Sequence, residues 1–146
     1  MNIVVPMAGA GSRFEKAGYS FPKPLIEVKG QPMIAKVVEN LDLQGTYIFL
    51  VQKAHYEQYN LESLLKMIAP GCKIVQIDGV TEGAACTVLK AKEFIDNDEQ
   101  LIIANYLSLM ALPRQLMIFP KHLLQGAVIH RYLCRFWLNV LSLWLK

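Results

Sequence analysis

The 146-residue sequence lacks the features that mark several common classes of protein. No apolar run reaches the roughly 18 residues that a membrane-spanning helix needs, and no basic residues precede the short apolar stretch at the N-terminus. We therefore expect neither a transmembrane segment nor a signal peptide. Its three cysteines, Cys72, Cys86 and Cys134, contain no CxxC pair and leave one residue over, which favours a reducing, cytoplasmic location over a disulfide framework. The basic residues form no dense cluster, so nucleic acid is not an expected partner.

Acidic residues are absent from the last part of the chain. Residues 1–105 hold ten Lys and Arg and all twelve Asp and Glu, a net charge of −2, whereas residues 106–146 hold five basic residues and no acid. Such a break near Asn105 is improbable within one continuous soluble domain. With 53% hydrophobic and 18% charged residues, the chain has enough apolar material for one core. We expect residues 1–105 to form the folded domain and residues 106–146 to be an aberrant tail.

Apolar, strand-like runs alternate with amphipathic helical segments in residues 1–105. The predicted strands are 3–5, 47–51, 73–77 and 101–104, and the predicted helices are 32–41, 56–68 and a third that follows Thr81 as its N-cap and runs to about residue 96. Strands that alternate with helices of this length favour right-handed crossovers between parallel strands. The sequence therefore predicts an α/β fold with a Rossmann-like, mostly parallel sheet, helices on both faces, and a ligand site at the carboxyl ends of the strands.

The loop after the first strand carries the strongest functional signal. Residues 7–14 read Met-Ala-Gly-Ala-Gly-Ser-Arg-Phe, and two glycines one residue apart allow backbone N–H groups to approach an anion closely. Both familiar phosphate loops are excluded. A dinucleotide-binding loop needs a glycine where Phe14 stands, and a Walker A loop needs a Gly-Lys-Ser/Thr ending that is absent.

A lysine held between two prolines follows this loop. Lys23 lies between Pro22 and Pro24, which stiffen the backbone and suit an ammonium group that must stay beside a phosphate. A tight turn and an exposed lysine would explain either feature alone. Both features together, after a predicted parallel strand, favour an anion-binding site.

Residues 8–13 (Ala-Gly-Ala-Gly-Ser-Arg) and 22–25 (Pro-Lys-Pro-Leu) resemble the signature of the sugar-phosphate nucleotidyltransferases, also called NDP-sugar pyrophosphorylases. Residues 30–34 and 81–85 are similar to two further segments of that family, so the resemblance covers about residues 1–105. It implies a sheet of the nucleotide-diphospho-sugar transferase type. It also implies transfer of a nucleotidyl group from an NTP to a sugar 1-phosphate, or to a related phosphorylated alcohol, with release of pyrophosphate in polysaccharide precursor synthesis.

The resemblance assigns roles to individual residues. Arg13 would neutralise the departing pyrophosphate, and Lys23 would hold the α-phosphate and the incoming phosphate. The backbone of the glycine loop would surround the triphosphate, and the segment around Glu82 would contact the nucleobase, although that segment equally fits a capped helix start. The nucleotide-binding residues implied are Ala8, Gly9, Ala10, Gly11, Ser12, Glu82 and Gly83.

The sequence departs from the family at the end of the fourth predicted strand. The family has an aspartate there that binds Mg²⁺, whereas this chain has Leu107, which offers no oxygen to a hard cation. Both the resemblance and the acidic residues stop at this point. We therefore expect a shift of reading frame near Asn105, a truncated nucleotide-binding half, no metal ligand at position 107, and impaired activity.

A genuine tail is the alternative. Residues 136–145 form an uncharged run with two tryptophans that would pack against the core, a partner or a membrane surface. The chain would then be a non-catalytic nucleotide-binding or scaffolding protein with a C-terminal interaction tail. The sequence specifies neither the nucleobase nor the sugar, and an oligomer is compatible with it.

Overall fold

The computed structural model describes residues 1–9, 11–104 and 117–119. Seven strands are present in this part of the chain, and they are β1 (Asn2–Pro6), β2 (Glu27–Val28), β3 (Gln31–Pro32), β4 (Thr46–Gln52), β5 (Lys73–Ile77), β6 (Leu101–Ile103) and β7 (Met117–Phe119). The helices are α1 (Ser12–Lys16), α2 (Met33–Leu41), α3 (Lys53–Gln58), α4 (Leu61–Ile68), α5 (Ala84–Leu89) and α6 (Lys92–Ile95), together with a 3-10 helix at Lys23–Leu25.

Five of the strands form one sheet in the order β5-β4-β1-β6-β7. β1 is parallel to β4 on one side and to β6 on the other, and β4 is parallel to β5. The chain fills one side of β1 first and then crosses to the other side, so the strand order reverses beside β1. In open α/β sheets, ligands bind at the carboxyl ends of the strands at such a reversal. The mostly parallel sheet is confirmed. The reversal places the expected ligand site at the loop after β1.

Helices cover both faces of the sheet, as the sequence predicts. Successive residues of β1 point to opposite faces, so Val4 joins an apolar cluster with Val88 of α5 and Ile95 of α6. Ile3 and Val5 join a second cluster that includes residues of α2 and α4. Burial of each large aliphatic side chain stabilises the fold by about 1.5–3 kcal/mol. Because both clusters include β1, the strand that leads into the glycine loop is held from both sides.

The single helix predicted over residues 56–68 is wrong, because the structure has two helices there. α3 ends at Gln58, and Asn60 adopts a left-handed conformation with φ of 47° before α4 begins. Asn tolerates this conformation better than most residues. The Tyr56 hydroxyl donates to Glu62 Oε2 across the break at 2.7 Å. The break lets α4 pack on the core while α3 stays at the carboxyl end of β4.

Thr81 does not cap a helix, so the predicted N-cap of the third helix is wrong. Gly83 precedes α5, and it makes no side-chain capping bond. The hydroxyl oxygens of Thr81 and Thr87 lie 2.5 Å apart, and each lies within hydrogen-bonding distance of the Gly83 carbonyl oxygen. The predicted third helix is also divided into α5 and α6.

Five elements have no counterpart in the sequence-based expectations, namely α1, the 3-10 helix, β2, β3 and β7. α1 occupies part of a segment that we read as loop, and β7 falls inside the acid-free segment and pairs antiparallel with β6. The other residues of that segment, including Leu107, lie outside the described residues. Within the described part, no helix has the length and apolar character required to cross a membrane.

Candidate functional site

A cleft of about 390 Å³ opens at the carboxyl end of β1. Three segments line it: the loop and helix that follow β1, residues 19–24, and α3 with the residue after it. The lining residues are Gly9, Gly11, Phe14, Glu15, Tyr19, Ser20, Phe21, Pro22, Lys23, Pro24, His55 and Tyr59. Gly9, Gly11 and Lys23, which come from two separate sequence motifs, therefore share one site.

The glycine loop leaves the core abruptly. Ala8 is buried in the same cluster as Ala85 of α5, whereas the next residue, Gly9, is exposed. Gly11 has φ of +63°, a left-handed conformation that glycine adopts without steric cost. The Phe14 N–H donates to the Gly11 carbonyl oxygen at 2.9 Å, which begins α1. The loop thus turns within a few residues from the buried strand to the open cleft.

The side chain of Gln52 binds the backbone of this loop. Its Nε2 donates to the carbonyl oxygen of Ala8 at 3.0 Å and to that of Gly9 at 3.2 Å. Gln52 is not among the site residues that the sequence predicts. Its signal is a polar residue at the end of the long apolar run 47–51, on the strand that neighbours β1.

Lys23 begins the 3-10 helix, directly after Pro22. The Leu25 N–H donates to the Pro22 carbonyl oxygen at 2.8 Å, and Pro24 is buried, so the lysine backbone is held on both sides. Lys23 Nζ lies 5.2 Å from the centroid of the Phe14 ring. Its positive charge is therefore placed in the cleft that the two glycines line.

Aromatic rings form the outer wall of the cleft. Phe14 and Tyr19 are in edge contact with ring centroids 5.7 Å apart, and Phe21 and Tyr59 are in edge contact at 6.0 Å. Phe21 is 58% exposed and Tyr19 is 50% exposed. These rings are not predicted from the sequence, because they come from separate segments with no shared periodicity.

His55 of α3 also lines the cleft. Partial burial lowers the pKa of its imidazole below the ordinary value for histidine, because burial disfavours the charged form. At neutral pH the imidazole is therefore neutral, and an anion in the cleft would favour its protonation.

Glu82 lies in a different place from Lys23. It lines a second cleft of about 430 Å³ together with Asp78, Thr81 and Lys90. Gly83 directly precedes α5, and α5 packs against β1 through the cluster that contains Ala8. Gly83 thus precedes a helix that shares an apolar cluster with Ala8, whereas Glu82 lines the second cleft.

Four of the residues discussed from the sequence are not described in full. Ala10 and Leu107 lie outside the described residues, and Ser12 and Arg13 belong to α1 although their side chains are not described. Within residues 1–9, 11–104 and 117–119, no group of three His, Cys, Asp or Glu side chains is arranged to hold a metal ion. Position 107, where the family resemblance implies a Mg²⁺ ligand, lies outside these described residues.

Part of the chain is similar to known proteins. No protein-family model matches the chain. The chain is 29% identical over 104 residues to the bifunctional protein GlmU of Methanocaldococcus jannaschii. The matched region covers 70% of this chain and 24% of GlmU. A nucleoside-diphosphate-sugar pyrophosphorylase from Vibrio cholerae has a similar structure, with a TM-score of 0.62, 26% identity, and coverage of 76% of this chain and 50% of that chain. The inositol-1-phosphate CTP transferase from T. maritima has the same fold, with a TM-score of 0.58, 15% identity, and coverage of 72% of this chain and 42% of that chain.

These findings confirm the resemblance to the sugar-phosphate nucleotidyltransferases and the α/β fold of that type. The matched region spans about a quarter of the length of GlmU and half of the Vibrio cholerae protein. The likeness therefore concerns one part of these larger proteins.

Proposed function

We propose that the cleft binds the triphosphate of an NTP and that the chain transfers the nucleotidyl group to a sugar 1-phosphate or a related phosphorylated alcohol. The observation that carries this proposal is the meeting of Gly9, Gly11 and Lys23 in one cleft at the carboxyl end of β1. The similarity to GlmU and to the Vibrio cholerae pyrophosphorylase supports the same reaction class.

The site offers the two kinds of group that bind a polyphosphate. The Gly9 N–H has no hydrogen-bond acceptor within the part of the chain that the structure describes. It is a donor for a phosphate oxygen, and Lys23 supplies a positive charge nearby. A Cβ built on Gly9 would meet no atom of the described residues within 4 Å, so these residues leave the space above Gly9 open. That space is where a phosphate group would approach the backbone.

The proposed reaction needs no nucleophile from the protein. An oxygen of the acceptor phosphate attacks the α-phosphorus of the NTP, a new P–O bond forms, and the bond from that phosphorus to the bridging oxygen of the β-phosphate breaks. Pyrophosphate leaves with the electron pair. Because several negative charges meet, the protein contributes positioning and charge neutralisation. Lys23 holds the α-phosphate and the incoming phosphate, and Arg13 neutralises the pyrophosphate.

The other assignments are also proposals. The backbone around Ala8, Gly9, Ala10, Gly11 and Ser12 surrounds the nucleotide, with Ala8 and Gly83 against the base. Glu82 lies near the base, on the side of the second cleft. Mg²⁺ would supply further charge neutralisation in this reaction class. Impaired activity is expected, because Leu107 stands where the family has its metal-binding aspartate.

Pyrophosphate release tests the proposal. The full chain is incubated with Mg²⁺, each of the common NTPs and a panel of sugar 1-phosphates, and released pyrophosphate is measured by a coupled assay. We expect release above background that requires both substrates and falls at least about tenfold in Lys23→Ala. Lys73→Ala is the matched control, since Lys73 is exposed and begins β5 at its amino end. Equal release by Lys23→Ala and by the wild type would contradict the assigned role of Lys23. Binding of an NTP without release would favour a non-catalytic nucleotide-binding protein.

A further inference from the structure

The geometry points to Gln52 as a positioning residue that holds the anion-binding loop in its binding conformation, an inference that rests on the proposed function. One side-chain nitrogen makes both contacts, donating to the Ala8 oxygen at 3.0 Å and to the Gly9 oxygen at 3.2 Å. A primary amide nitrogen has two N–H groups, so it can donate to both oxygens at once. Ala8 and Gln52 are 44 residues apart in the sequence, so this contact belongs to the folded structure.

These hydrogen bonds fix the direction of an adjacent donor. The Ala8–Gly9 peptide is trans, because the described part of the chain contains no cis peptide bond. In a trans peptide the C=O and the following N–H point in opposite directions. The Ala8 oxygen points to Gln52, so the Gly9 N–H points away from Gln52, and it has no acceptor among the described residues. Gln52 thereby turns a donor of the loop outward, where an anion would meet it.

Gln52 is itself firmly anchored. It is the last residue of β4, it pairs in register with Ile77 of β5, and the chain continues directly into α3. α3 carries His55, which lines the cleft. Gln52 therefore connects the glycine loop both to the sheet and to the helix that supplies another lining residue of the same cleft.

Gln52 acts through the loop and does not touch the ligand space directly. Among the residues that the structure describes, it is absent from the set that lines the cleft. Its Nε2 is committed to two backbone oxygens. A loss of anion binding on its replacement would consequently reflect a change in the orientation of the loop.

Glutamate is the most informative replacement. Gln52→Glu keeps the size of the side chain but removes both N–H donors and brings carboxylate oxygens against two carbonyl oxygens. The repulsion should turn the Ala8–Gly9 peptide and place negative charge beside an anion site. Gln52→Met removes the donors without adding charge, so it keeps the test valid where the glutamate variant does not fold. Gln44→Glu is the matched control, because Gln44 is exposed and lies just before the amino end of β4.

The test uses titration calorimetry with inorganic pyrophosphate on the full chain, with thermal unfolding to verify folding and an amide NMR spectrum to follow the Gly9 N–H. We expect Gln52→Glu to bind pyrophosphate at least about tenfold more weakly and Gln52→Met several-fold more weakly, each with a shifted Gly9 amide signal before ligand is added. Gln44→Glu should match the wild type. Normal affinity in both Gln52 variants while the wild type binds pyrophosphate would overturn the positioning role and leave the proposed function intact. Absence of pyrophosphate binding by the wild type would overturn both.

Discussion

Lys23 Nζ lies 5.2 Å from the centroid of the Phe14 ring. The cation of the Pro-Lys-Pro segment therefore packs against the last residue of the glycine loop, residues 7–14. Phe14 occupies the position at which a dinucleotide-binding loop would have its third glycine. An exposed cation–π contact stabilises its geometry by about 0.5–1 kcal/mol. Phe14 thus gives the lysine a preferred location beside the glycine loop.

We expect Phe14→Leu to weaken pyrophosphate binding several-fold, because the lysine loses the ring that orients it. Phe14→Tyr keeps the ring and should bind as the wild type does. Titration calorimetry measures both, and thermal unfolding verifies that both fold. A leucine variant with wild-type affinity would show that the ring does not orient Lys23.

The two loop glycines should respond differently to alanine. A Cβ on Gly9 has open space, so Gly9→Ala should fold normally and lose pyrophosphate affinity because its methyl group occupies the ligand space. Gly11 has φ of +63°, so Gly11→Ala should lower the free energy of unfolding by about 1–2 kcal/mol. Denaturant unfolding and calorimetry separate the two effects. Equal loss of stability in both variants would contradict the assignment of Gly9 to ligand contact.

The pKa of His55 should rise when pyrophosphate binds. Burial lowers this pKa in the free protein, and a nearby anion favours the imidazolium. In the free protein the unfolded chain, with a histidine pKa of about 6.5, takes up a proton before the folded chain does as the pH falls. The stability that neutral His55 contributes is therefore present above about pH 6.5 and is lost as the pH falls through the folded-state pKa.

NMR titration of the His55 ring protons, with and without pyrophosphate, measures this shift. His55→Gln serves as the control for the assignment of the signals. A pKa that stays the same in saturating pyrophosphate would place the bound anion away from α3.

Gly45 is expected to be essential for stability and irrelevant to the site. A Cβ there would lie 2.6 Å from the Met1 carbonyl oxygen, which accepts a hydrogen bond from the Thr46 N–H at 2.9 Å. Gly45→Ala should therefore lower the free energy of unfolding by about 1–3 kcal/mol. Pyrophosphate affinity measured where the variant is folded should be unchanged. Unchanged stability would show that the start of β4 adjusts without cost.

Much of the fold could be predicted because its signals are local. The run 47–51 is apolar and flanked by polar residues, which is typical of a buried parallel strand, and it lies within β4. The residues from Met33 to Leu41 repeat at helical spacing, and α2 has these bounds. The glycine loop and Lys23 could be selected as a pair because each motif has a physical purpose visible in its own residues.

The remaining features depend on tertiary context. The left-handed Asn60 that separates α3 from α4 is one of several conformations that asparagine permits, and packing of the two helices selects it. The bonds from Gln52 to Ala8 and Gly9 join residues far apart in the sequence, so no local pattern contains them. The aromatic wall is likewise assembled from separate segments.

Amide NMR of the isotopically labelled full chain during addition of an NTP shows directly whether the cleft after β1 binds the nucleotide. We predict saturable shifts concentrated at Gly9, Gly11, Lys23 and His55, which line this cleft. Inorganic pyrophosphate should produce a subset of the same shifts. Shifts confined to the second cleft around Asp78 and Lys90, or no saturable shifts at all, would contradict this prediction.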